Sequence, residues 1–174
     1  MLPLALLALT AADPFPPPKT PTPVLLIGCR QGECQWQRIT RIEPMRARAG
    51  EALRKASGTT GGSTYRDLDA PTRFSPRIRI AWKHQARTDY VLCSKRRPAL
   101  LSWDADERMY LLTRLSMTDL PGYQYAGATL YMNVCHGLAS GRWSEGKLPA
   151  MGYRAQQGDQ RRYKTLAAAL RALG

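Results

Sequence analysis

The chain has 174 residues, 44% of them hydrophobic and 22% charged, which excludes a chain disordered throughout and leaves room for one domain with a sizeable core. It carries 26 Lys and Arg against 13 Asp and Glu, a formal net charge of +13, and most of the excess is Arg. Arg is the better bidentate binder of phosphate and carboxylate, so the balance points to nucleic acid, an anionic envelope component or an acidic protein, unless it serves solubility alone.

Residues 1–12, MLPLALLALTAA, form an apolar run ending in small residues. Thr10 and Ala12 suit a signal peptidase site, so an export signal is expected here, although no Lys or Arg precedes it and it is short. The run is too short to span a bilayer, and no later stretch reaches the roughly 18 apolar residues a span needs. A mature chain without a transmembrane helix is therefore expected, in the periplasm or secreted. DPFPPPKTPTP, residues 13–23, is a Pro-rich linker of extended, polyproline-like character. A single disulfide-stabilised domain is expected over 24–174.

The domain opens on VLLIGCRQGEC, residues 24–34. Leu-Ile-Gly-Cys has the form of a lipobox, which would acylate Cys29. A lipoprotein signal needs a continuous apolar segment before the Cys, and Pro and Lys interrupt everything upstream of Val24. A first strand followed by a loop closed by Cys29 and Cys34 is the better account. The four cysteines, Cys29, Cys34, Cys93 and Cys135, permit three pairings. Behind an export signal an even count argues for disulfides, and we favour Cys29–Cys34 with Cys93–Cys135 as a clamp between two strands.

Trp36, Ile39, Ile42 and Met45 recur every three residues, which suits a short helix better than a strand, but Pro44 would disrupt it. The element stays ambiguous. Ser57–Thr64, SGTTGGST, is expected to be a flexible loop and lacks the Lys-Ser/Thr ending of a phosphate-binding loop. Arg77–Lys83 alternates Ile78, Ile80 and Trp82 with basic residues, as a half-buried strand does, and His84–Thr88 is a plausible turn into a second strand, Asp89–Lys95. Ala99–Trp103 and Arg108–Leu115 flank Asp-Ala-Asp-Glu as a further hairpin. Leu120–Gly127 supplies a turn, and Ala128–Cys135 is expected to be a strand with Leu130, Met132 and Val134 on one face. After a Gly-rich irregular stretch, Lys164–Gly174 is a strong helix. The fold class is mainly β, α+β at the margin: an antiparallel sheet, sandwich or small barrel built from hairpins, with a C-terminal helix packed on it.

No catalytic constellation stands out, and no cofactor or metal is expected. His136 beside Cys135, and the Asp104, Asp106 and Glu107 cluster, are the candidates for an envelope hydrolase. Asp89, Ser94 and His84 make a triad only by residue type, without a nucleophile-elbow motif. Zinc at the cysteines lacks a second close Cys/His pair, and there is no Cys-x-x-Cys. What remains is a basic surface: Arg77, Arg79 and Lys83 on the outer face of one strand, with Lys95, Arg96 and Arg97 near it and tyrosines as possible neighbours. Such a face can bind single-stranded nucleic acid, but no nucleic-acid motif is recognisable. The expectation is a binding protein, inhibitor or immunity-like, for an anionic envelope component or acidic protein. An envelope hydrolase and a nucleic-acid binder are the alternatives. The export segment, Cys-x4-Cys-x-Trp and Val-Leu-Cys-Ser-Lys resemble small exported bacterial proteins in general and carry no named family's motif.

Overall fold

A computed structural model describes Phe15, residues 24–66 and residues 70–174. The expected export signal and all of the linker but Asp13-to-Pro23's single residue Phe15 lie outside the described residues. Seven strands form one antiparallel sheet in chain order: β1 (Val24–Arg30), β2 (Glu33–Arg48), β3 (Glu51–Thr64), β4 (Ala81–Ser94), β5 (Ala99–Asp104), β6 (Met109–Arg114) and β7 (Asp159–Tyr163). Helix α1 (Tyr125–His136) and helix α2 (Leu166–Leu173) complete the fold. Each strand pairs with its neighbour in sequence, and β1 and β7 do not pair, so the sheet stays open. The expected mainly β fold with a C-terminal helix on the sheet is what forms.

Alternation along the strands sends apolar side chains to both faces. Leu25, Ala56, Val91 and Leu100 pack with α1 on one face. Leu53, Leu92, Leu101 and Leu112 pack with Ala169 and Leu173 of α2 on the other. A third cluster on that outer side joins Val24, Cys34 and Trp36 to Ile78, Ile80 and Trp82. The sheet is thus a middle layer, which is why its strands are rich in apolar residues on both faces.

Four expectations are corrected. Ala128–Cys135 is not a strand but most of α1, and every one of these eight residues is buried. A helix buried on all sides, Thr129 and Asn133 included, has no solvent-facing polar stripe to reveal its period. Its stop signal is Gly137, at φ 68°, whose N–H bonds the Asn133 carbonyl while Leu138 N–H bonds Met132. That is a left-handed helix cap suited to glycine.

The turn at His84–Thr88 does not exist, since β4 runs through it. Thr59 pairs with Ala86 and Gly61 with Trp82, so β4 carries two extra residues there as a bulge. The Thr59 hydroxyl bonds the Lys83 carbonyl at 2.5 Å within this bulge. The strand accordingly begins at Ala81, and Arg77 and Arg79 lie in the preceding segment rather than on its outer face.

Ser57–Thr64 is not a loop but the second half of β3. Its glycines permit close approach rather than flexibility: a Cβ on Gly58 would land on the Arg38 carbonyl of β2.

The ambiguous segment at Trp36–Met45 lies within β2, whose register shifts between Ile39 and Arg41 and again between Pro44 and Arg46. The first bulge puts Ile39 and Ile42 on the same face three residues apart, imitating a helical period. Pro44 is tolerated because β1 pairs only with Glu33–Arg38, leaving this part of β2 without that neighbour among the described residues.

Candidate functional site

Both favoured cysteine pairs are at bonding distance. Cys29 and Cys34 face each other across the β1–β2 turn with Cα atoms 4.0 Å apart, and Cys93 and Cys135 are 5.5 Å apart. The second pair clamps β4 to α1, not two strands as expected. Disulfides form in oxidising compartments. Among the described residues no helix is long and apolar enough to cross a membrane.

The sheet is longer than the helix it holds. α1 covers one end of the inner face, and beyond it β2, β3 and β4 continue as uncovered rungs. There a half-enclosed cavity of about 760 Å³ opens, a size that accommodates small ligands. Its rungs follow the register: Gln35, Gly62 and Ala81, then Gln37 with Thr60, then Arg87 on Gly58, then Asp89 between Ala56 and Ser102. The wall toward the helix is apolar, formed by Ile27, Leu100, Ala126 and Leu130.

Asp89 anchors the polar floor. It is fully buried, and its carboxylate accepts hydrogen bonds from Gln37 Nε2 at 2.9 Å, Ser102 Oγ at 2.6 Å and Arg87 Nε at 2.8 and 3.1 Å. These donors replace the water that the carboxylate loses on burial. The Arg87 side chain is 40% exposed and lines the cavity. Burial pulls its guanidinium toward losing the proton, but the charge and hydrogen bonds of Asp89 outweigh this and leave the net shift upward. The side chain is held by Nε alone. Its two terminal nitrogens make no hydrogen bond among the described residues, which leaves them available to a bidentate partner. Arg79 and Lys83 line the same cavity, against one acidic residue, Glu33.

The basic residues expected to act together therefore divide. Arg79 and Lys83 meet at the cavity, while Arg77 is exposed outside its lining. Lys95, Arg96 and Arg97 follow the far end of β4, roughly 30 Å from Lys83 by strand rise once the bulge is discounted. Arg97 is engaged by Glu51, with Nη2 2.6 Å and Nε 2.7 Å from its carboxylate oxygens. Lys95 packs near Gly152 instead. Sequence reasoning missed Arg87 because it placed the residue in a turn. The signal was available: Arg87 and Asp89 stand two apart, and on one strand face that spacing makes them neighbours.

The hydrolase candidates are not brought together. Cys135 is bonded to Cys93. His136 Nε2 lies 2.6 Å from Tyr153 Oη, which donates to Tyr131 Oη at 3.1 Å, which donates to the Ser94 carbonyl at 3.0 Å. Burial, with the Lys95 and Arg54 charges, lowers the His136 pKa to about 4, and burial raises that of Tyr153 to about 12. Near neutrality the chain of groups is uncharged. Phe15 packs edge-on against the imidazole, with ring centres 5.5 Å apart. Asp104 lies at the β5–β6 hairpin tip, where its Oδ1 accepts from the Asp106 and Glu107 N–H groups at 3.1 and 3.2 Å. Among the described residues Asp89 is hydrogen-bonded by the side chains of Gln37, Arg87 and Ser102, not by Ser94 or His84. Among the described residues no group of three His, Cys, Asp or Glu is placed to hold a metal.

Compared with known proteins, the chain matches no family model, no curated protein and no solved structure.

Proposed function

We propose that the chain is an exported binding protein that takes an anionic component of the cell envelope in the cavity beside α1. The observation that carries this is Arg87, fixed at Nε by a buried carboxylate and lining a cavity that Arg79 and Lys83 also line. An arginine already held in place loses little side-chain entropy on meeting an oxyanion, which favours binding. A half-enclosed cavity fits a small or chain-like anion better than the flat face of an acidic protein. The two cysteine pairs and the N-terminal apolar run support a site of action outside the cytoplasm, in the periplasm or secreted.

Calorimetric titration of the oxidised protein with pyrophosphate and with an aryl sulfonate, at low and at physiological salt, tests the proposal. Saturable binding that weakens with salt is expected, and Arg87→Met should weaken it roughly tenfold or more. Arg96→Met, at the other end of β4, should leave it unchanged. Absence of saturable binding, or equal affinity in the Arg87→Met protein, would refute the proposal.

A further inference from the structure

The cavity is divided by chemistry, and the division follows the sheet. Lys83 lies in the β4 bulge and Arg87 pairs with Gly58 just past it, and Gln35 of β2 and Thr60 of β3 line the same end of the cavity. At the other end, where the sheet meets the helix, the wall consists of Leu100, Ala126, Leu130 and Ile27. Leu100 and Leu130 are 5% and 3% exposed, so their contact with the cavity is its inner end rather than its mouth. Arg87 stands at the boundary between the two parts, one rung from Asp89 and Ser102.

A small hydrophilic anion would satisfy the cations but leave the inner apolar wall against water. An uncharged hydrocarbon would cover that wall but offer no oxyanion to Arg79, Lys83 and Arg87, which outnumber the one acidic residue of the lining, Glu33. We propose, resting on the anion-binding assignment above, that the ligand is a single-chain amphiphile. Its oxyanionic head lies on the terminal nitrogens of Arg87 beside Lys83, and its alkyl chain runs inward over Ala126 and Leu130. Charge complementarity at one end and an unfilled apolar wall at the other fix the polarity of the bound chain: head outward, tail toward α1.

The test uses the intact oxidised protein and two homologous series, straight-chain alkanoates and alkyl phosphates, each kept below its micelle concentration. Affinity should rise by about threefold to fourfold for each added methylene until the inner wall is covered, then level off. Arg87→Met should weaken every member of both series by a similar factor and leave the chain-length slope intact. Ala126→Trp, which fills the inner end from a partly exposed site on α1, should flatten the slope while the shortest members bind as before. The wild-type slope needs no variant, so the proposal remains testable if the Trp protein fails to fold.

Short anions that bind through Arg87 with no dependence on chain length would overturn the amphiphile and leave the anion site standing. Loss of all dependence on Arg87 would overturn both. Binding to phosphatidylglycerol vesicles without binding to the monomeric amphiphiles would also overturn it, because that result describes attraction to a membrane surface and not occupation of a cavity.

Discussion

His136 sits where a proton is unwelcome. Burial and the charges of Lys95 and Arg54 lower its pKa from 6.5 to about 4. The unfolded chain therefore takes up a proton as pH falls through 6.5, while the folded chain resists until about 4. Stability is full above pH 6.5 and is lost as the pH falls from there toward 4. Urea midpoints measured across that interval should drop in the wild type, and His136→Gln should remove part of the drop. Identical profiles would show that the imidazole is not responsible. Glu51 adds a separate acid response: the Arg97 hydrogen bond leads in holding its carboxyl below the usual 4.5, so its contribution is lost below that value. At this scale the cysteines were legible, since four residues of one reactive type allow few pairings. Arg87 was missed because His84–Thr88 read as a turn, which hid that Arg87 and Asp89 stand two apart on one strand face.

Among the elements, the hairpin of β5 and β6 and the helix α2 were legible because each carries local signals: a polar tip between apolar runs, and Ala and Leu formers behind a Thr165 cap that accepts from Ala168 N–H. Of the elements misread or left ambiguous, two have periods that tertiary structure sets. The bulge at Ile39–Arg41 lengthens a strand period from two residues to three, and the burial of α1 on all sides erases the helical one. β7 was not anticipated at all, because Asp159–Tyr163 is a short run of polar and basic residues at a sheet edge. The clamp between β4 and α1 yields a prediction at this scale. Cys93 and Cys135 are 42 residues apart and Cys29 and Cys34 only 5. By loop entropy, replacing the first pair with Ser should cost about 4 kcal/mol and replacing the second about 2 kcal/mol. Denaturant unfolding of the two double variants checks the ranking, and a larger loss from the Cys29/Cys34 protein would contradict it.

For the molecule as a whole, the sheet was legible and the cavity was not. Composition and spacing pointed to hairpins, and hairpins in sequence produced the antiparallel order. The basic residues then suggested a flat face. A cavity needs something shorter than the sheet lying across it, and that became visible only when Ala128–Cys135 proved to be a helix. The division of charge follows from the same geometry. Arg79 and Lys83 at one end of β4, and Lys95 to Arg97 past the other, cannot serve one small ligand, although the sequence places them within twenty residues of one another.

The embedding of α1 also sets the order in which the molecule is completed. Each strand can pair as soon as its neighbour in sequence exists, and the β1–β2 turn brings Cys29 to Cys34 with almost no chain between them. α1 closes far longer loops, as in the bond from the Arg54 guanidinium to the Val134 carbonyl across 80 residues. During oxidative refolding, alkylation of the remaining thiols followed by mass analysis should find Cys29–Cys34 joined before Cys93–Cys135, and the reverse order would contradict this sequence of events. The helix that arrives late supplies the wall of Ala126 and Leu130. On the proposed function, competence to bind would follow the docking of α1, and a bound ligand would mark the finished protein apart from a sheet still waiting for its helix.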